Sequence, residues 1–145
     1  MSLFSSINAS STGLTAQRTR MDVIANNIAN VDTPNYKRQL VIFRPKGEEG
    51  FIFNIPLPKA SIGIGNTIGE GVIIDRIKDD LKTPKRLAYM PGHPDADEKG
   101  YVHLPNVNVV TEMVDLIDAS RAYEANVSAI RAAKGMHSKA LDLLR

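Results

Sequence analysis

The feature that most constrains this chain is a run of apolar residues near its C-terminal end. Val109, Met113, Leu116, Ser120, Tyr123, Val127, Ile130, Lys134, His137, Leu141 and Leu144 follow one another in alternating steps of four and three. Eight of these eleven positions are apolar or aromatic, which is the pattern of a coiled-coil seam. No proline interrupts the stretch, and its one glycine is Gly135. A helix of that length extends roughly 50 Å at 1.5 Å per residue. That exceeds what a chain of 145 residues needs to cover its own core, so the seam calls for a partner.

The other end of the chain repeats the pattern. Leu3, Ile7, Ser10, Leu14, Gln17, Met21, Ile24, Ile28 and Val31 again step by four and three. Pairing the two stripes is the simplest way to bury both. The polar exceptions Ser10, Gln17, Ser120 and Lys134 weaken such a pair while fixing its register. The first stripe is a poor autonomous helix, because Asn8, Gly13, Asn26, Asn27 and Asn30 each favour other conformations by several tenths of a kcal/mol. Residues 1–30 are therefore expected to be disordered in a free monomer and to fold on association. Asp32-Thr33-Pro34-Asn35 ends the helix, since proline supplies no N–H and disfavours helical geometry before it.

Between the arms the period changes to that of strands. Gln39–Arg44 and Phe51–Ile55 read as the two strands of a β-hairpin, Gly63–Gly71 as a flexible loop, and Val72–Ile77 as a third strand. From Leu81 to Pro105 the chain is rich in Pro, Gly, His and Asp, with one short strand expected at Tyr101–Leu104. Asn106 or Asn108 then caps the long C-terminal helix. The expected fold is α+β. An N-terminal coiled-coil helix (1–33) and a C-terminal one (106–145) form a stem, with a small β-rich insert (34–105) between them. An insert of about 70 residues is marginal as an independent domain.

Composition excludes more than it selects. The net charge of +2 is scattered, and Lys37-Arg38 and Lys85-Arg86 are isolated pairs, so neither nucleic acid nor an anionic membrane is indicated. The absence of Cys rules out disulfides, thiolate metal sites and cysteine nucleophiles. The first residues lack the basic start and apolar core of a secretory signal, and no apolar run reaches the ~20 residues of a membrane-spanning helix.

Motifs for chemistry are equally thin. Gly63–Gly69 (GIGNTIG) lacks both the third glycine of a dinucleotide fingerprint, where Ile68 stands, and the lysine of a phosphate-binding loop. His93, Asp95, Asp97 and Glu98 could ligate a cation, but Pro91 and Pro94 make a polar surface turn the preferred reading. Asp79-Asp80 and Glu48-Glu49 are sequence neighbours that point apart, so neither is an acid/base dyad. His137 lies on the helical stripe and reads as a packing residue. No catalytic, cofactor or metal site is assigned.

Four stretches carry a resemblance. Ala25–Arg38 (ANNIANVDTPNYKR), Met90–Asp97 (MPGHPDAD), Gly100–Val114 (GYVHLPNVNVVTEMV) and Ala119–Asn126 (ASRAYEAN) resemble the bacterial flagellar rod and hook axial-protein family, in particular its proximal-rod members. The likeness spans residues 1–38 and 90–145; across 39–89 it rests on position and size. It implies a structural subunit of the proximal rod in the flagellar basal body, spanning the periplasm and exported without a cleaved signal peptide by the flagellar type III apparatus. Its implied partners are other rod subunits and further copies of itself in a helical tube, with no cofactor, no small-molecule substrate and no nucleic acid.

The assembly interface expected on this basis comprises Leu3, Ile7, Leu14, Met21, Ile24, Ile28 and Val31 from the first stripe. Met113, Leu116, Tyr123, Val127, Ile130, Leu141 and Leu144 come from the second. Asn26, Asn27 and Asn30 are expected to offer amides for interchain hydrogen bonds. Tyr36 and Tyr123 are either aromatic anchors between subunits or intramolecular core. The other readings are a sister proximal-rod subunit, a free-standing coiled-coil adaptor, and a small metal-dependent hydrolase built on His93.

Overall fold

The structure, a computed structural model, describes residues 3–46 and 70–142, with side chains from Ser5 onward in the first stretch. Two long helices, α1 (Leu3–Ala29) and α2 (Val109–Asp142), bracket four strands: β1 (Gln39–Pro45), β2 (Val72–Asp79), β3 (Arg86–Tyr89) and β4 (Tyr101–Leu104). The helices pack together along their length, and β1 and β2 lie against α1. The expected α+β fold of paired terminal helices around small antiparallel sheets is what the structure shows.

The helix ends follow their local chemistry. After α1, the Asn30 side chain donates to the Asn26 carbonyl (2.9 Å) and so satisfies a terminal acceptor. The chain then turns through Asn35, whose φ of 63° is a left-handed conformation that asparagine tolerates. Asn35 N–H donates to the His103 carbonyl (3.1 Å), tying the turn to β4. Asn108 caps α2, its Oδ1 accepting from the N–H groups of Val110 (3.0 Å) and Thr111 (3.4 Å). Asn106, the other candidate cap, instead accepts from Arg38 N–H and donates to the carbonyls of Asp80 and Thr83, each at 3.3 Å. With Pro105 fully buried beside it, the link of residues 105–108 is held from several sides.

The strands form two small antiparallel sheets. β1 pairs antiparallel with β2, from Gln39↔Asp79 to Pro45↔Val72, with an irregularity between Ile42 and Phe43. The third predicted strand is thus the partner of the first. The predicted partner Phe51–Ile55, the loop up to Gly69, and Glu48-Glu49 lie outside the described residues. Tyr101–Leu104 is a strand as expected, and its antiparallel partner is β3, a stretch given no strand from the sequence. Tyr89 and Tyr101 sit opposite each other edge-to-face, ring centres 5.3 Å apart.

The helix seam is rotated from the expected one. The buried residues of α2 are Glu112, Ala119 and Ala133, all in one heptad register, whereas Met113, one residue on from Glu112, is 53% exposed. On α1 the buried residues are Ala16, Val23, Ile24 and Asn27. Cross-contacts of Gly13 with Asn126, Arg20 with Asp115 and Asn27 with Glu112 make the pair antiparallel. On α2 the buried side chains are thus small or polar, and α1 meets them with Ala16, Val23, Ile24 and Asn27. The larger apolar residues Leu116, Tyr123 and Ile130 flank them, half-buried. A second apolar cluster, Val102, Leu104 and Val107, lies where β4 runs into α2.

Candidate functional site

The side chains of this chain converge at one place, the junction where α1 ends, β1 begins and α2 starts. Asn27, 1% exposed, is its hub. Its Nδ2 donates to the Gln39 carbonyl (2.9 Å) and to Glu112 Oε2 (3.1 Å). Its Oδ1 accepts from Gln39 N–H (2.9 Å) and from the Tyr36 hydroxyl (3.0 Å). The amide therefore pairs with both backbone groups of Gln39 as a neighbouring strand would, and its hydrogen-bonding capacity is filled.

Glu112 is as buried as Asn27, and its Oε1 accepts from Arg38 Nε at 2.6 Å. The Arg38 guanidinium lies also near Asp115 (3.7 Å) and Asp80 (4.0 Å), and Arg20 meets Asp115 at 3.3 Å. A buried ion pair with this many partners satisfies the demand that an interior charge be both paired and hydrogen-bonded. Burial raises the Tyr36 phenol, helped by the carboxylates of Asp79 and Glu112. Asp80 is held below its ordinary value by hydrogen bonds from the Thr83 hydroxyl and from Lys82 N–H.

Several expected interface residues also make bonds within the chain. Asn27 and Asn30 spend their amides on intramolecular bonds, and Asn26 accepts from Asn30 through Oδ1 at 3.0 Å. Tyr36 is half-buried, its hydroxyl donating to Asn27 Oδ1. Ile24 is buried. Ile7, Leu14, Met21, Ile28, Val31, Leu116, Tyr123, Val127 and Ile130 are half-buried, and Met113 and Leu141 are exposed. The Leu3 side chain and Leu144 lie outside the described residues.

The outer face of α2 carries apolar groups that counting along the expected stripe passed over. Val110 is 71% exposed, and Val114 and Ile117 are each more than half exposed. Together with Met113 they form a contiguous apolar surface at helical spacing, of the kind that marks an interaction site. The steps of four and three from Val110 through Val114 to Ile117 were the available signal.

Nothing comparable gathers around a metal. Among the described residues no three His, Cys, Asp or Glu side chains converge on one point. His93 Nδ1 accepts from Asp95 N–H (3.1 Å), and His103 Nε2, on β4, contacts Asp97 Oδ2 (2.8 Å), so both histidines are engaged with the 93–97 turn. Among the described residues no helix is long and apolar enough to cross a membrane.

Comparison with known proteins follows the same division of the molecule. Residues 7–37 match the family described as flagella basal body rod protein, and residues 98–143 match the C-terminal family of the flagellar basal body rod FlgEFG proteins. Full-length relatives cover both. The chain is 50% identical to the flagellar basal-body rod protein FlgC of Borreliella burgdorferi, covering 100% of this chain and 99% of the relative. It is 43% identical to the FlgC protein of Bacillus subtilis, over 99% of each chain. It is 36% identical to that of Escherichia coli O157:H7, over 99% of this chain and 98% of the relative.

Proposed function

The chain belongs to the FlgC family of flagellar basal-body rod proteins, and from that premise we propose how it builds the rod. It is a structural subunit of the basal-body rod and not an enzyme. In this proposal the α1–α2 pair is a stem set in the proximal part of the rod, and the insert of residues 34–105 is a separate unit carried on it. The outer faces of the stem pack against the stems of other rod subunits and of further copies through heterologous contacts. Contacts of that type do not close on themselves and so generate a helical tube. The expected interface residues Ile7, Leu14, Met21, Met113, Val127 and Leu141 then meet neighbours, joined by Val110, Val114 and Ile117. Delivery through the flagellar type III export apparatus belongs to the same proposal.

The observation that carries it is the exposed apolar face at Val110, Met113, Val114 and Ile117. Monomeric proteins rarely leave large side chains clustered in water without a use for them. Ile117→Asp and Val114→Asp test it directly, since both positions point away from the intrachain seam. These variants are expected to keep wild-type helicity and secretion yet to be missing from purified basal bodies, leaving cells non-motile. Normal incorporation of both would remove this face from the interface.

A further inference from the structure

Each of the two small sheets presents an open strand edge. Met90 N–H donates to the Gly100 carbonyl (2.9 Å), so Met90 faces β4. Alternation along the strand then turns Ala88 and Arg86 toward β4, and the N–H and C=O groups of Leu87 and Tyr89 away from it. In the other sheet Asp80 N–H donates to the Arg38 carbonyl (2.7 Å). Lys78 and Arg76 therefore face β1, while Ile77 and Asp79 turn their backbone groups outward. Among the described residues no backbone hydrogen bond reaches these outward groups. The far edge of β4, by contrast, is occupied, since the Tyr101 and His103 carbonyls accept from the N–H groups of Asp97 and Asn35.

An open edge is a template for a further strand, and proteins that avoid pairing there charge it or cover it. These two edges carry large apolar side chains instead. Ile77, Leu87 and Tyr89 are 48%, 59% and 66% exposed. A two-stranded sheet also gains stability by extension to three strands or more.

We propose that copies of this chain join by sheet extension, the β2 edge of one receiving the β3 edge of the next. Antiparallel pairing with Ile77 opposite Tyr89 and Asp79 opposite Leu87 uses every one of the outward groups. It sets Asp79, at the acidic end of β2, diagonally across from Lys85, at the basic start of β3. No like charges fall opposite each other, because Lys78 meets Ala88 and Arg76 meets Met90. Parallel pairing instead brings Arg76 alongside Arg86. The two edges are different surfaces, so the contact is heterologous and does not close on itself. The inference rests on the axial-subunit reading above and adds a second seam, in the insert and not in the stem.

Cross-linking across the joint tests it. Lys78 and Ala88 of the next copy occupy the site between the two bonded pairs, where Cα atoms lie roughly 4.5 Å apart, within reach of a disulfide. Inside one chain no Cα of β2 comes within 8 Å of a Cα of β3. The chain has no Cys of its own, so a bond between these positions joins copies. Cells whose only copy carries Lys78→Cys and Ala88→Cys are expected to yield a ladder of linked chains from oxidised basal bodies on non-reducing gels. Lys78→Cys with Leu87→Cys should give none, since it puts the thiols on opposite faces of the joined sheet. Absence of the ladder from basal bodies that contain the Lys78→Cys/Ala88→Cys chain overturns the proposal.

Leu87→Pro gives an independent readout. The N–H it removes points away from β4, so the sheet within the chain keeps its bonds while the joint loses one. Leu87→Pro is expected to keep wild-type helicity yet to be lost from isolated basal bodies, and Leu87→Ala to be retained. Equal incorporation of the two overturns the proposal. So does a Leu87→Pro chain that loses helicity, since that N–H is then needed inside the chain. Neither readout touches the outer face of α2, so both succeed or fail separately from the incorporation assay on Ile117→Asp.

Discussion

Asn27 and Glu112, 85 residues apart in the chain, meet inside the stem with the amide Nδ2 donating to the carboxylate at 3.1 Å. This one bond joins the two helices that the sequence separates by the whole insert. Because Asn27 also serves Gln39 and Tyr36, it ties the stem to the first strand.

Asn27→Leu removes four hydrogen bonds at once and leaves the partners buried. Each orphaned group costs on the order of 1–3 kcal/mol, although relaxation recovers part of it. A loss of about 3 kcal/mol is expected in urea unfolding, with hydrogen exchange accelerated first at residues 36–44.

Glu112→Gln removes the buried charge that Arg38 pairs with, while Asp115 and Asp80 stay within 4.0 Å of the guanidinium. Breaking such a pair from one side costs about 3–5 kcal/mol, whereas replacing both members costs far less. Thermal melts of Glu112→Gln, Arg38→Met and the Glu112→Leu/Arg38→Met double variant should show the double variant more stable than either single one.

The two shifted groups predict opposite edges of a stability profile. Asp80 has a lowered folded-state pKa, so its contribution is present above its unfolded value and is lost as pH falls through the folded one. Tyr36 has a raised pKa, so its contribution is complete below 10.0, its ordinary value, and is lost as pH rises through the folded one. Asp80→Asn should flatten the acid limb and Tyr36→Phe the alkaline limb of the unfolding midpoint plotted against pH.

Leu116→Asp and Ile28→Asp place a charge on the half-buried flanks of the stem. Both are expected to abolish incorporation into the rod, measured as motility and as subunit content of isolated basal bodies. Normal swimming would refute the assignment of these flanks to the stem.

Much of this architecture was legible because two long heptad stripes and a proline turn speak loudly in one dimension. The strand at Tyr101–Leu104 and a cap at Asn106 or Asn108 were legible for the same local reasons, and the fold chose Asn108. The exact face of the seam was not. A count of apolar residues weights Met113 and Val127 above Ala119 and Asn126, whereas close helix approach rewards the small side chain. β3 escaped notice because Arg86–Tyr89 draws its order from pairing with β4, a relationship that no short window contains. Glu112 is given no role by the sequence; only the fold brings Arg38 and Asn27 to it.

The four residues between β4 and α2 have a mechanical consequence. Pro105 is buried, Asn106 is tied to Arg38, Asp80 and Thr83, and Asn108 holds the first turn of the helix. Such a link is an elbow without play and not a hinge. A twist applied along the stem therefore passes into β4 and the Asp80–Thr83 turn without slack at this link.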